Sequence, residues 1–276
     1  MVALIGYPDM DANFTQLDAY YAGTQLNESE GYFEAGHKLS VWYREQEYDK
    51  LKQPFDRFDW ETLAPDVVDA YYTRARNVIT LPAAILQPPY FSGEFPKVIN
   101  YGAIGMVIGH EITHGFDDQG SQYDGSGNID NWWSERSAQN FDTRKSCMIQ
   151  QYSNYSEAGT GMNVNGVITL GENIADNGGL KEAYRAYQSY VGQAGEEPLL
   201  PGLQHLSNNQ VFFLSFANFF CGSRRKDSTV QQLLTDVHSP SNFRVIGSLS
   251  NFPEFSAAYG CPAGSALNPS NKCTVW

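Results

Sequence analysis

Three residues in one short stretch could hold and use a metal ion: His110, Glu111 and His114, in the order His-Glu-x-x-His. On an α-helix, residues four apart lie on one face, so both imidazoles can reach a single ion. Glu111, beside the first imidazole, can then point at a metal-bound water. The chemistry of such a set is metal-assisted hydrolysis. The surrounding residues, Tyr101 to Gly115, are apolar nearly all the way round. They predict a buried helix, capped at Asn100 and ended by Gly115. Two imidazoles and a carboxylate inside such a helix are costly unless they have partners. The glycines within it lower helix propensity, and close packing of another backbone would offset that.

A catalytic zinc ion takes three protein ligands and leaves a fourth position for water. Glu172 and Asp176 sit four apart at the start of a helical pattern running from Glu172 to Tyr190. Glu172 can bind the metal while Asp176 accepts the N–H of a ligand imidazole. Alone, a Glu-x-x-x-Asp pair is more often a solvated helix face. Asp117 and Asp118 follow the second imidazole. Either one of them orients His114, or the pair is an acidic helix end. His238, before Ser239-Pro240, reads on its own as a turn residue, and His37 and His205 read as structural. A structural zinc site is usually closed by four ligands and rich in cysteine. Cys147, Cys221, Cys261 and Cys273 include no Cys-x-x-Cys pair, which argues against one. Their even number is compatible with two disulfides, with the pairing open.

Stepping outward from the motif, the elements that must position it can be read from periodicity. Residues 9–64 predict mostly helix, with apolar residues at three- and four-residue spacing. Residues 67–81 predict a β-hairpin, with Arg74–Asn77 as its polar connection and Pro82 ending it. Residues 120–131 predict a loop, and Trp132–Tyr152 a helix. Asn209–Phe220 reads as a very apolar helix, and residues 238–276 as turn-rich. No internal repeat is present.

The chain has 276 residues, 42% hydrophobic, and a formal net charge of −13. That supports a substantial core and argues against nucleic-acid binding. No apolar run reaches the length of a membrane span. The first residues are too short and uncharged for a secretory signal, so the expectation is an intracellular protein or a piece of a longer exported one. Sequons at Asn13, Asn27 and Asn154 weakly favour export. The oligomeric state stays open.

Four stretches resemble the neprilysin family, which includes the endothelin-converting enzymes. They are Ile85-Leu86-Gln87-Pro88-Pro89-Tyr90-Phe91; Ile108 to Asp118 around the metal motif; Leu170 to Leu180 around Glu172; and Thr235 to Pro240 running into Phe243-Arg244. The ending Lys272-Cys273-Thr274-Val275-Trp276 fits too, and the match covers about residue 65 to the C-terminus. The resemblance implies an α+β, mainly α, thermolysin-like catalytic domain with a small antiparallel β-element. It implies a single domain over 1–276, with 1–64 a helical lead-in and 65–276 the zinc-site core. It further implies one zinc ion held by His110, His114 and Glu172, with Glu111 as general base and Asp176 orienting His110. His238 would stabilise the tetrahedral intermediate, and Arg244 would hydrogen-bond a substrate carbonyl. Ile85, Tyr90, Met106 and Val107 would line a pocket for a bulky apolar side chain just after the scissile bond. The implied activity is endopeptidase cleavage of oligopeptides, and the implied location is extracellular or at the cell surface.

Two departures from the family pattern stand out. The family's substrate-gripping strand carries Asn-Ala where this chain has Asp69-Ala70, and ionised Asp can only accept hydrogen bonds. The family's upstream cap region is absent from this chain. The resemblance pairs Cys147 with Cys273 and places the partners of Cys221 and Cys261 upstream. Those two would then be free or paired with each other. The alternative that follows is a catalytically weak, zinc-bearing binding or decoy domain.

Overall fold

The computed structural model describes residues 1–60 and 65–276. The chain is mainly helical with two small sheets. β1 (Val2–Gly6), β2 (Tyr71–Thr73) and β3 (Val78–Pro82) form the larger sheet, in the order β1-β3-β2. β2 and β3 are the expected hairpin, antiparallel with Tyr72 opposite Ile79. The hairpin starts at Tyr71, and Pro82 is its last residue. β1 was not expected as a strand. It is too short to show a period, and its ladder comes from a distant parallel partner, with Val2 opposite Val78. Every residue of the central β3 is buried. Among the described residues β2 has one edge without a strand partner.

α1 (Phe14–Tyr21) and α2 (Tyr32–Lys50) meet the helical expectation for the lead-in. Residues 51–60 are turns and irregular chain instead, and the part of that expectation at 61–64 lies outside the described residues. The helix expected over 101–115 is two helices. α3 (Lys97–Gly102) and α4 (Ile104–His114) part at Ala103, whose φ of −97° and ψ of −91° leave the helical region. Asn100 thus lies inside α3 and caps nothing. Its side-chain amide donates to the Ser92 carbonyl at 2.7 Å instead.

α5 (Glu135–Ser153) starts at the cap Ser134. A small hairpin of β4 (Ser156–Glu157) and β5 (Met162–Asn163) follows. α6 (Leu170–Ala194) extends beyond its expected range at both ends. α7 (Asn208–Phe219) begins with a Ser207–Gln210 capping box. α8 (Lys226–Thr235), α9 (Ser241–Ser250) and α10 (Pro253–Ala258) complete the chain. Residues 259–276 remain turns and irregular chain, and the last two helices occupy 241–258 of the segment expected to be turn-rich. Their Ser, Asn and Pro content favours turns locally, but burial of Phe243, Leu249 and Phe255 makes them helical.

The main core gathers α3, α4, α6 and α7 around Met106, Leu180, Phe212 and Phe216. A second core around Phe141, Met148, Tyr152 and Val275 joins α5 to the C-terminus. The Cys147–Cys273 disulfide spans it, as the resemblance implied. Cys221 and Cys261 are not bonded to each other.

α4 and α6 make the closest helix contact, and glycine sets it. A Cβ on Gly109 would lie 2.8 Å from the Gly179 carbonyl oxygen, and one on Gly179 would collide with the His110 backbone nitrogen. This is the close backbone packing that the glycines of α4 required. Gly179→Ala should therefore cost about 3 kcal/mol as an overpacked contact. Gly192→Ala, on the same helix but with nothing within 4 Å, should be neutral or stabilise by up to about 1 kcal/mol. Urea unfolding of both variants checks the contrast.

Candidate active site

α4 presents His110, Glu111 and His114 on the floor of a cleft, all three buried. α6 brings Glu172 across from the facing side. Its Oε2 lies 3.2 Å from His110 Nε2 and 3.6 Å from His114 Nε2. The two Nε2 atoms are 3.0 Å apart. Ligand atoms of the three side chains all fall within 4.8 Å of one another.

Each imidazole is backed by a carboxylate. Asp117 Oδ2 lies 2.7 Å from His114 Nδ1. Asp117, not Asp118, is the partner of His114, because its Oδ1 is fixed by the Gln119 and Gly120 N–H groups at 2.8 and 2.6 Å. Asp176 Oδ1 lies 2.9 Å from His110 Nδ1, an ion-pair contact without straight hydrogen-bond alignment. Asp176 also accepts from Arg244 Nε and Nη2, each at 2.7 Å. One buried carboxylate thus holds both an imidazole and the Arg244 fork. His238 joins from the loop before α9, with Nε2 3.2 Å from Glu172 Oε2 and Nδ1 2.8 Å from Asp236 Oδ1. The next residue anchors that loop, as Ser239 Oγ donates to Asn173 Oδ1 at 2.8 Å.

The electrostatics call for a cation. Burial alone would lower both imidazoles. Contacts with Asp117 and Glu172 nonetheless push His114 up to about 10, and contacts with Asp176 and Glu172 raise His110. Burial would raise Glu172, but the three facing imidazoles hold it well below the usual carboxylate range. Burial would raise Asp176, yet the Arg244 charge keeps it low. Ionised Asp117 and Asp176 can only accept, so each ring keeps its Nδ1 proton toward its carboxylate, and Nε2 is the atom that gives up a proton when a metal takes its place. Glu172 Oε2 is buried with no hydrogen-bond partner. Two Nε2 atoms and a carboxylate oxygen without a hydrogen-bond partner converge on one point, and the raised imidazoles show that this point favours positive charge. Two imidazoles and one carboxylate are the donor set of a catalytic zinc site, and the residues fit that ion.

The cleft holds about 270 Å³ and is also lined by Asp69, Ala70, Ile85, Met106, Val107 and Arg244. Tyr90 is not on this wall; it packs at 5.1 Å against Phe219, which is. Asp176 lies behind the wall, fully buried. His37 and His205 are exposed and line no part of it. Burial raises Glu111 toward the neutral form. Sequence reasoning missed Asp236, Arg74, Tyr71 and Phe219. Only Asp236, two residues before His238, offered a local signal. Arg74 lies in the hairpin connection as expected and also lines the cleft.

A family model described as Peptidase family M13 matches residues 69–275. Neprilysin-11 of Caenorhabditis elegans is 54% identical over 100% of this chain and 32% of its own length. Human neprilysin is 48% identical over 99% of this chain and 36% of its own length. This chain therefore spans about a third of these relatives. Among solved structures, a Mycobacterium tuberculosis zinc metalloprotease in complex with an inhibitor superposes with a TM-score of 0.84 at 33% identity, over 100% of this chain and 41% of that one. A Haemonchus galactose-containing glycoprotein complex superposes with a TM-score of 0.88 at 31% identity, over 100% of this chain and 45% of that one.

Removal of ligands should be graded. His114→Ala should abolish stoichiometric zinc retention, while Asp117→Asn, which alters only the backing of His114, should weaken zinc affinity about 10- to 100-fold. Zinc content after dialysis and competition with a chromogenic chelator measure both.

Proposed function

This chain belongs to peptidase family M13, and on that premise we propose that it is a zinc-dependent endopeptidase acting on oligopeptides. One observation carries the reading: Glu111 stands in an open cleft beside two imidazoles and an orphaned carboxylate that converge on one point. His110, His114 and Glu172 would hold one zinc ion. When bound, zinc supplies Lewis acidity, which activates water near neutral pH and polarises a carbonyl.

The chain's own residues do the rest. Glu111 takes the proton of the attacking water and passes a proton to the leaving amine. His238, steadied by Asp236, donates to the developing oxyanion. Arg244, clamped by Asp176, directs its remaining N–H groups to a substrate carbonyl. Asp176 keeps the His110 ring in its ligand tautomer. Substrate lies extended along the free edge of β2 as an added strand, with Asp69 and Ala70 at one end. Asp69 accepts the Ala70 N–H at 2.9 Å and offers the substrate only acceptors. Ile85, Met106 and Val107 form an apolar wall that suits a bulky side chain just after the scissile bond. Tyr90 supports this wall only through Phe219.

The chain is proposed to act as a single catalytic domain, with residues 1–64 as its lead-in and 65–276 as its zinc-site core. An oxidising location outside the cell or on its surface is supported by the Cys147–Cys273 bridge and by exposure of all three sequon asparagines. Among the described residues no helix is long and apolar enough to cross a membrane.

A quenched fluorescent peptide with a central bulky apolar residue tests the activity. Cleavage should depend on zinc and stop with a chelator, whereas binding without cleavage would favour the decoy reading that Asp69 motivates. Glu111→Gln should lower kcat/KM by about 10³-fold or more while zinc stays bound. Substantial remaining turnover would remove Glu111 as the base. His238→Ala should lower kcat by about 10²- to 10³-fold with little change in KM. An unchanged kcat would take His238 out of the reaction.

A further inference from the structure

Arg74 is a charge in the cleft that the proposed chemistry does not use. It directly follows β2, beside His114 and Asp117. Its ion pair with Asp117 is long, at 3.7 Å. The Asp117 oxygens are already engaged by His114, Gln119 and Gly120. The Nε of Arg74 is buried without a hydrogen-bond partner, although the side chain as a whole is 34% exposed. Arg244, the other guanidinium on this wall, gives its Nε and Nη2 to Asp176. Arg74 therefore keeps the exposed Nη end of its guanidinium available to a carboxylate.

Its place along the cleft says which part of a substrate it meets. Met106, Val107, His110, Glu111 and His114 succeed one another along α4, about 12 Å from first to last at the helical rise. Arg74 sits at the His114 end, next to Asp117, and the apolar wall sits at the Met106 end. β2 runs the same way, with Ala70 before it and Arg74 after it, about 13 Å apart at the strand rise. If the wall receives the side chain after the scissile bond, Arg74 faces the residues before it. A substrate strand antiparallel to β2 has this direction.

We propose that Arg74 is a specificity-determining residue that binds an acidic side chain, Asp or Glu, about two to four residues on the amino side of the scissile bond. This rests on the peptidase reading above. The preference is positional. Asp69, Glu111 and Glu172 line the same cleft, and the chain carries a net charge of −13, so acidic groups are disfavoured elsewhere along it.

The test uses quenched peptides that share one bulky apolar residue after the cleavage point. A single Glu, Gln or Lys is moved through the four positions before it. At one of these positions the Glu/Gln ratio of kcat/KM should reach about five- to tenfold, as for a charge-assisted contact. The ratio should fall to about one in Arg74→Ala, and Arg74→Glu should favour Lys instead. Arg74→Lys, which keeps the charge without the fork, should retain part of the preference. Each ratio is taken within one variant, so a general loss of zinc or folding cancels. A ratio near one at all four positions, or a Glu preference that survives in Arg74→Glu, overturns the proposal. Fluorescence anisotropy of the same peptides on the zinc-loaded chain separates the two readings. Glu-selective binding without cleavage contradicts the peptidase reading and upholds the Arg74 assignment. Cleavage without selectivity contradicts the Arg74 assignment alone, and neither binding nor cleavage contradicts both.

Discussion

The site depends on how closely two helices can approach. Packed helices normally keep their axes about 8–10 Å apart because side chains stand between them. At the crossing of α4 and α6 the side chains are missing, since Gly109 faces Gly179 backbone to backbone. The residues on either side of that contact line the cleft or back it. His110 follows Gly109 on one helix, and Asp176 lies one turn before Gly179 on the other, with Glu172 a further turn back. Short side chains such as Glu172 and Asp176 reach an imidazole on the neighbouring helix only because the backbones touch. The helix propensity lost at the glycines is offset by this packing and by the contacts it permits.

Around that crossing, buried carboxylates do the orienting. Asp117, Asp176 and Asp236 stand against Nδ1 of His114, His110 and His238 at 2.7, 2.9 and 2.8 Å. Asp176 has a second task, because its two oxygens also hold Arg244. Substituting Asp176 would therefore disturb His110 and Arg244 together. The opposed Nε2 atoms and the orphaned Glu172 oxygen leave a deficit of positive charge, and a divalent cation balances it better than scattered protons would.

Much of this was legible in the sequence, and the remainder was hidden for identifiable reasons. The His-Glu-x-x-His spacing and the Glu172–Asp176 pair are local patterns, and both sit where helix geometry placed them. The choice between Asp117 and Asp118 turned on the backbone N–H groups of a turn whose shape no spacing shows. The break at Ala103 was invisible because apolar periodicity runs through it. β1 depends on a parallel partner far along the chain, and α9 and α10 depend on burial that overrides turn-forming residues. Arg74 sits in the hairpin connection where it was expected, and what no spacing shows is that this connection lies against the cleft. Tyr90 sits one aromatic ring behind the wall it was expected to form, a depth that no single sequence records.

The central claim is that the α4–α6 crossing is built around one bound cation. Calorimetric titration of zinc into the chelator-treated chain, with the unfolding temperature followed in parallel, tests it most directly. The account predicts saturation at one zinc per chain and an unfolding temperature that climbs with free zinc, reflecting a stabilisation of about 2.7 kcal/mol at a hundredfold excess over Kd. Absence of saturable binding, together with an unfolding temperature indifferent to zinc, would contradict it.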